Sequence, residues 1–152
     1  MANADIIVVG LSETPLVASL YNELFAPPRD TSFFDRRFRN RVNVLNLIAE
    51  VDRQPVGFCS GFELKPDTWF SWLIGVLPGF RRQGVGAQLM DAEHAWAADH
   101  AYRYVRMECH NQHRAVLHLA ISCGFDIVGL RYDHERNDNL IIFGKQVGEA
   151  DA

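Results

Sequence analysis

Apolar positions change their spacing several times along the chain, and each change marks an element. Ile6 to Val9 is a short β-branched run that predicts a buried strand. Ser12-Glu13-Thr14-Pro15 then supplies helix-start chemistry, and Leu16, Leu20 and Leu24 share one helical face, predicting a helix over about 14–25. Pro27-Pro28 ends it, and a weaker helix or ordered loop follows over Ser32 to Arg41. The spacing next turns strand-like. Val44 to Val51 and Val56 to Leu64 flank the turn Asp52-Arg53-Gln54, and the aromatic strand Trp69 to Val76 follows Pro66-Asp67. Strands joined by such short turns are antiparallel neighbours, because a parallel pair needs a long crossover.

After Gly84 the helical spacing returns. Val85, Leu89, Ala92 and Trp96 form an apolar stripe on a helix reaching about Asp99. Tyr104 to Cys109 reads as a strand and Arg114 to Cys123 as a helix, with Gly124 suited to the position just past its end. Phe125 to Tyr132 and Leu140 to Lys145 read as two closing strands around the polar loop Asp133 to Asn139. The order β-α-(α)-β-β-β-α-β-α-β-β predicts one α+β or mixed α/β domain over residues 1–152, built on a single sheet.

Composition narrows the function classes. With 152 residues and a formal charge of -4, the chain lacks the basic field expected of a general nucleic-acid binder. Arg36, Arg37, Arg39 and Arg41 cluster with Phe33, Phe34 and Phe38, a pattern read as a solvated amphipathic helix. Cys59, Cys109 and Cys123 are odd in number and form no CxxC pair. They suggest reduced thiols and neither a disulfide framework nor a metal site. No basic leader precedes the first strand, and no run approaches the roughly 18 apolar residues of a membrane span. The expectation is a soluble, cytoplasmic domain with no membrane partner.

The chemistry concentrates in VLPGFRRQGVGAQLM, residues 76–90. Two arginines and two alternating glycines stand immediately before a helix. A helix start leaves backbone N–H groups unpaired and partly positive, so it attracts anions. Gly84 and Gly86 leave those amides bare, and Arg81 and Arg82 can add charge-assisted contacts. A P-loop would need Gly-Lys-Ser/Thr where Gly86 is followed by Ala87-Gln88, and a dinucleotide fingerprint would need a small residue at Leu89. Neither fits.

Arg81-Arg82-Gln83-Gly84-Val85-Gly86 does resemble the Q/R-x-x-G-x-G/A signature of the GNAT acetyltransferases. The preceding Val76-Leu77-Pro78, the hairpin around Leu47 to Phe58, and the late Leu119 with Gly124-Phe125 are similar to the family's other features, in the same order. The resemblance implies a single mixed, mostly antiparallel sheet of six to seven strands with splayed central strands and about four flanking helices. It also implies acetyl-CoA as cofactor. Its pyrophosphate would lie on the amides of Arg82, Gln83, Gly84, Val85, Gly86 and Ala87, and its pantetheine arm against Ile74, Gly75 and Val76. A small-molecule or peptide amine would enter opposite, framed by the Phe33, Phe34, Arg36, Arg37 segment. The resemblance is also compatible with a homodimer.

Amine acetylation needs a proton acceptor for the ammonium and a donor for the departing thiolate. The family's usual tyrosine falls at Ala120, which can donate nothing, and its usual strand base falls at Phe70 or Trp72. Glu108 and His110, on one face of the next strand, are the candidate catalytic residues. His118, Ser122 and Tyr132 are reserves, and Cys109 is expected to pack. The family's late asparagine matches His113 by counting and Asn111 by residue type, and Asn111 is taken as the cofactor contact. The leading expectation is direct acyl transfer from acetyl-CoA to a primary amine. The alternative is a non-catalytic acyl-CoA-binding module on the same fold.

Overall fold

The computed structural model describes residues 2–149. In chain order its elements are β1 (Asp5–Val9), α1 (Thr14–Leu24), α2 (Thr31–Phe38), β2 (Val44–Val51), β3 (Gln54–Lys65) and β4 (Thr68–Val76). Then come α3 (Val85–Asp99), β5 (Tyr104–His110), α4 (Arg114–Ser122), β6 (Asp126–Asp133) and β7 (Asp138–Gln146). The seven strands form one sheet in the order β1-β2-β3-β4-β5-β7-β6. Every neighbouring pair is antiparallel except β4 and β5. The mixed, mostly antiparallel sheet with four helices agrees with the architecture expected from the sequence.

Alternation along the strands divides the core in two. Val17, Leu20, Phe34 and Phe38 of α1 and α2 pack with Ile48, Phe58 and Phe62 on one face. On the other face, Val85, Leu89 and Met90 of α3 and Ala120 of α4 pack with Leu45, Leu47, Val105, Met107 and Phe143. Helix ends follow local chemistry. Asp30 caps α2 by accepting from the Phe33 N–H, and so the helix starts one residue earlier than Ser32. Gly124 adopts φ 91°, with Phe125 N–H donating to Ala120 C=O and Gly124 N–H to Ile121 C=O, a Schellman end for α4.

Three local expectations change. The run Ile6 to Val9 is not a buried strand: β1 is an edge strand paired only with β2, and Val8 is 64% exposed. A short β-branched run looks the same in the interior and at an edge. The polar loop Asp133 to Asn139 is shorter than expected, since Asp133 already pairs with Asp138 across a tight turn. On α3 the apolar stripe is only half of the buried face, which also takes in Glu93 and His94.

Glu93 is fully buried. Its Oε2 accepts from Trp69 Nε1 at 3.2 Å, and burial pushes its carboxyl up toward the neutral form. Gly61 makes the room, because a Cβ there would stand 2.6 Å from Trp69 Nε1 and 2.9 Å from Glu93 Oε2.

The sheet opens where β4 meets β5. Their parallel pairing runs from Thr68↔Tyr104 to Ser71↔Met107 and stops. On the other side of β4, Ser60 faces Leu73 and Gly61 faces Ser71, so Trp72 is an extra, bulged residue. The bulge bends β4 away from β5 and leaves a wedge between the second halves of the two strands.

Candidate functional site

The loop after β4 folds on itself before α3 begins. Arg82 and Gly84 both take left-handed backbone, at φ 61° and 82°. Arg81 Nε donates to Val76 C=O at 2.9 Å, which ties this side chain to the end of β4 and leaves its terminal nitrogens free. Gln83 Nε2 donates to Gly79 C=O, and Gln83 C=O accepts from the Ala2 N–H. Gln88 clamps the same corner by donating to Ala2 C=O and accepting from the Ala4 N–H.

Above this corner lies a cleft of about 970 Å³. Its walls are Ile74, Gly75 and Val76 of β4, Arg81 and Arg82, and the start of α3 from Gly84 through Val85 and Gly86 to Ala87. Across from them stand Gln112, His113, Arg114, Val116, His118 and Leu119, with Leu24 and Phe25 closing one end. Three arginines and a helix N-terminus face this space and no carboxylate lines it, which suits a phosphate-rich ligand.

Two predicted cofactor residues are not in this lining. The Gln83 side chain is spent on the loop's own carbonyl. Asn111 is pinned by its backbone N–H to Asn139 C=O, and the chain reaches the cleft only at Gln112 and His113. Counting back from Gly124 therefore indicates the cleft residue better than residue type does. Two glycines also have a different neighbour from the one expected. A Cβ on Gly86 would meet Leu119 Cδ2 of α4 at 2.9 Å, and one on Gly75 would meet Leu24 Cδ1 of α1 at 2.6 Å. Both let helices close around the cleft.

Proton-transferring groups sit beyond the wedge. The Phe70↔Arg106 pairing puts Arg106, Glu108 and His110 on the α1/α2 face of the sheet, beside the bulged Trp72. Both Glu108 and His110 are half-buried. His110 Nε2 lies 2.9 Å from Asp133 Oδ2. Asp133 Oδ1 accepts the backbone N–H groups of Glu135 and Arg136, so the carboxylate is anchored at the β6–β7 turn. The His110 hydrogen bond is the main reason this carboxyl sits below its usual range.

His113, absent from the expected contacts, bridges the two sides. Its ring is 6.1 Å from that of His110 and edge-on to Phe25 at 5.9 Å. Burial, then the neighbouring His110 and Arg136, depress its pKa, so it favours the neutral ring. His113 lies three residues after His110 and was indicated only by the residue count to Gly124, whereas Asp133 comes from the distant β6–β7 turn and no sequence signal pointed to it.

Most of the remaining candidates are accounted for by packing or local hydrogen bonds, with His118 the exception. Ala120 is 0% exposed and lies in the core beside α3, outside the cleft. Trp72 is enclosed by Phe33, Phe34, Phe38 and Phe62, and Phe70 packs on Phe62. Cys109 is buried, and its thiol is pushed up to about 11. Tyr132 is exposed and donates to Asn137 Oδ1 across the turn. Ser122 donates to Leu119 C=O, whereas His118 lines the cleft.

The sequence profile of the Acetyltransferase (GNAT) family matches residues 14–125, which include the loop, the cleft and both wedge strands. The chain belongs to the GNAT acetyltransferase family. This GNAT domain has no match among curated proteins. Solved structures share its fold at low identity. The ribosomal-protein-S18-alanine N-acetyltransferase from Escherichia coli aligns with TM-score 0.84 and 18% identity, covering 98% of this chain and 97% of that one. Ard1 from Thermoplasma volcanium aligns with TM-score 0.81 and 20% identity, covering 96% and 99%. The putative acetyltransferase yncA from Salmonella typhimurium, solved with its cofactor acetyl-CoA, aligns with TM-score 0.78 and 17% identity, covering 99% and 98%. Among the described residues, no helix of this GNAT domain is long and apolar enough to cross a membrane.

Proposed function

We propose that this chain transfers an acetyl group from acetyl-CoA to a primary amine of a small molecule or peptide. One observation carries the reading: the arginine-walled cleft at the α3 start leads along β4 to a wedge flanked by Glu108 and His110. The cleft fits a pyrophosphate-bearing ligand, with bare amides at Gly84 to Ala87 and the guanidiniums of Arg81, Arg82 and Arg114 available. Ile74 to Val76, no longer paired with β5, offer free backbone groups to an extended arm. Acetyl-CoA, when bound, supplies an activated thioester carbonyl.

The chain's own groups then handle position and protons. Holding the two reactants together in the wedge removes much of the entropic barrier. Glu108 or His110 takes the proton from the ammonium. If His110 gives its Nε2–H to Asp133, its Nδ1 keeps the lone pair a base requires. His118 is the cleft-lining group able to donate a proton where Ala120 cannot, whereas the neutral His113 ring is suited to accept one.

Ala120 also favours a second reading, a non-catalytic acyl-CoA-binding module. A turnover assay separates the two. The chain is mixed with acetyl-CoA and a panel of primary amines, and both free thiol and acetylated product are followed. The enzyme reading expects amine-dependent thiol release with stoichiometric product. Tight coenzyme A binding without product from any amine would sink it.

A further inference from the structure

On the α1/α2 side of the sheet, away from the cofactor cleft, lies a second cavity of about 1080 Å³. Five guanidiniums line it: Arg29, Arg36, Arg37, Arg39 and Arg41. We infer that this cavity holds the anionic end of the acceptor, so the substrate is an amine bearing two or more carboxylate or phosphate charges remote from its amino group. The inference rests on the acetyltransferase reading above and assigns its substrate class.

The positive charge is in excess and forms no close ion pair. Among the described residues the only ion pair within 4.0 Å is His110–Asp133, so none of the five arginines has a carboxylate partner. One acidic side chain, Asp30, lines the cavity; it caps α2 through Ser32 Oγ–H and the Phe33 N–H and also feels the nearby Arg36 charge, which leaves five cations against one anion. These cationic groups converge in a chain whose overall formal charge is -4. Surface arginines usually find carboxylates nearby, and a convergent set without them matches the recognition of multiply charged anions.

The arginines are also held in place. Asn22 accepts the Arg29 N–H and donates to Arg29 C=O, fixing that backbone to α1, while Arg29 Nε is buried without a partner. Arg29 lies over Phe33 at 4.6 Å, Arg37 over Trp72 at 5.1 Å and Arg41 over Phe62 at 4.0 Å. Stacking uses the flat face of a guanidinium and leaves its N–H edge for an anion, although Arg41 already spends its Nε–H on Arg37 C=O at 3.1 Å and offers only its terminal nitrogens.

Trp72 links this cavity to the reaction site. It is the bulged residue where β4 leaves β5, on the sheet face that carries Glu108 and His110. Phe33, which lines the cavity, packs against it at 5.7 Å. An acceptor with its amine in the wedge and its charges among the arginines would lie along this aromatic wall.

The test uses the full chain in two arms. In the first, kcat/KM is measured for length-matched amines carrying phosphate, carboxylates or no negative charge. In the second, tripolyphosphate binding is measured by calorimetry with coenzyme A saturating the cofactor cleft. The variant is Arg36→Gln/Arg39→Gln, whose side chains are exposed and form none of the structural bonds above. Arg53→Gln/Lys65→Gln, neither of which lines the cavity, is the charge-matched control, and thermal melts verify folding.

The expected result is a preference of about tenfold or more for anionic amines, reduced about tenfold in the arginine variant and retained in the control. The phosphate and carboxylate series identify which anion is favoured. Equal turnover of neutral and anionic amines would overturn the inference, as would tripolyphosphate binding indifferent to Arg36 and Arg39. Tighter binding of a duplex oligonucleotide than of tripolyphosphate would also overturn it and reassign the cavity to nucleic acid. If no amine is acetylated but tripolyphosphate binding still depends on these arginines, the transferase reading fails and the anion site stands.

Discussion

Replacing Gly86 with alanine tests why the signature needs its second glycine. The new Cβ would lie 2.9 Å from Leu119 Cδ2, about 0.5 Å short of the 3.4 Å where ordinary contact begins. Its other near neighbours, Leu119 Cδ1 at 3.5 Å and Val76 Cγ2 at 3.7 Å, are in normal contact. Overpacking of this kind costs about 1–3 kcal/mol, toward the low end here because Leu119 is half-buried and flexible at its tip. Alanine in a helix returns about 0.5–1 kcal/mol relative to glycine. The net destabilisation should be about 1 kcal/mol, a fall in Tm of about 3 °C for a chain of this size.

Cofactor affinity should suffer more than stability. Leu119 shares its helix with Val116 and His118, which also line the cleft, so pushing α4 outward widens that wall. We expect coenzyme A binding to weaken about tenfold by calorimetry, equivalent to about 1.4 kcal/mol. The decisive protein is Gly86→Ala/Leu119→Ala. If the clash with α4 is the cause, removing the leucine tip recovers part of the affinity, with a coupling energy of about 0.5 kcal/mol or more. Strictly additive losses would refute the packing argument and return Gly86 to the role of simple phosphate clearance.

Other outcomes follow from the same geometry. Arg81→Ala removes both a cleft cation and the tie to Val76 C=O, so coenzyme A affinity should fall about tenfold, and unchanged affinity would count against the cradle. Neutralising the true base, by Glu108→Gln or His110→Gln, should lower kcat about 100-fold or more. Asp133→Asn should matter comparably only if His110 is that base, so its kinetics discriminate the two. Stability should depend on His94, which burial and then Lys145 depress to about 4. Below the ordinary 6.5 the unfolded chain takes up a proton that the folded chain refuses. Unfolding free energy should therefore drop by about 3 kcal/mol as pH falls from 6.5 to 4. Urea titrations of His94→Gln should lack that component.

Much of this molecule is local and therefore readable from the chain alone. The element order, the hairpin from Val44 to Leu64, the α4 ending at Gly124 and the tight loop from Arg81 to Gly86 at the α3 start all follow from spacing, caps and turn chemistry within a few residues. Those features depend on interactions between near neighbours. What the chain alone left open depends on partners distant in sequence. Glu93 is buried because Gly61 and Trp69 enclose it, which no local pattern announces, and Ile6 to Val9 looks interior until the sheet order puts it at an edge. Residue type favoured Asn111, but the β5–α4 connection brings Gln112 and His113 to the cleft instead. Arg36, Arg37, Arg39 and Arg41 read as one solvated helix face, without Arg29, because their convergence with it requires Asn22 of α1, the cap at Asp30 and the aromatic wall of β4. Linear spacing records which groups share a face. Only the packing of α1, α2 and the bulged β4 determined that those faces meet, because burial and electrostatics are properties of the space between elements.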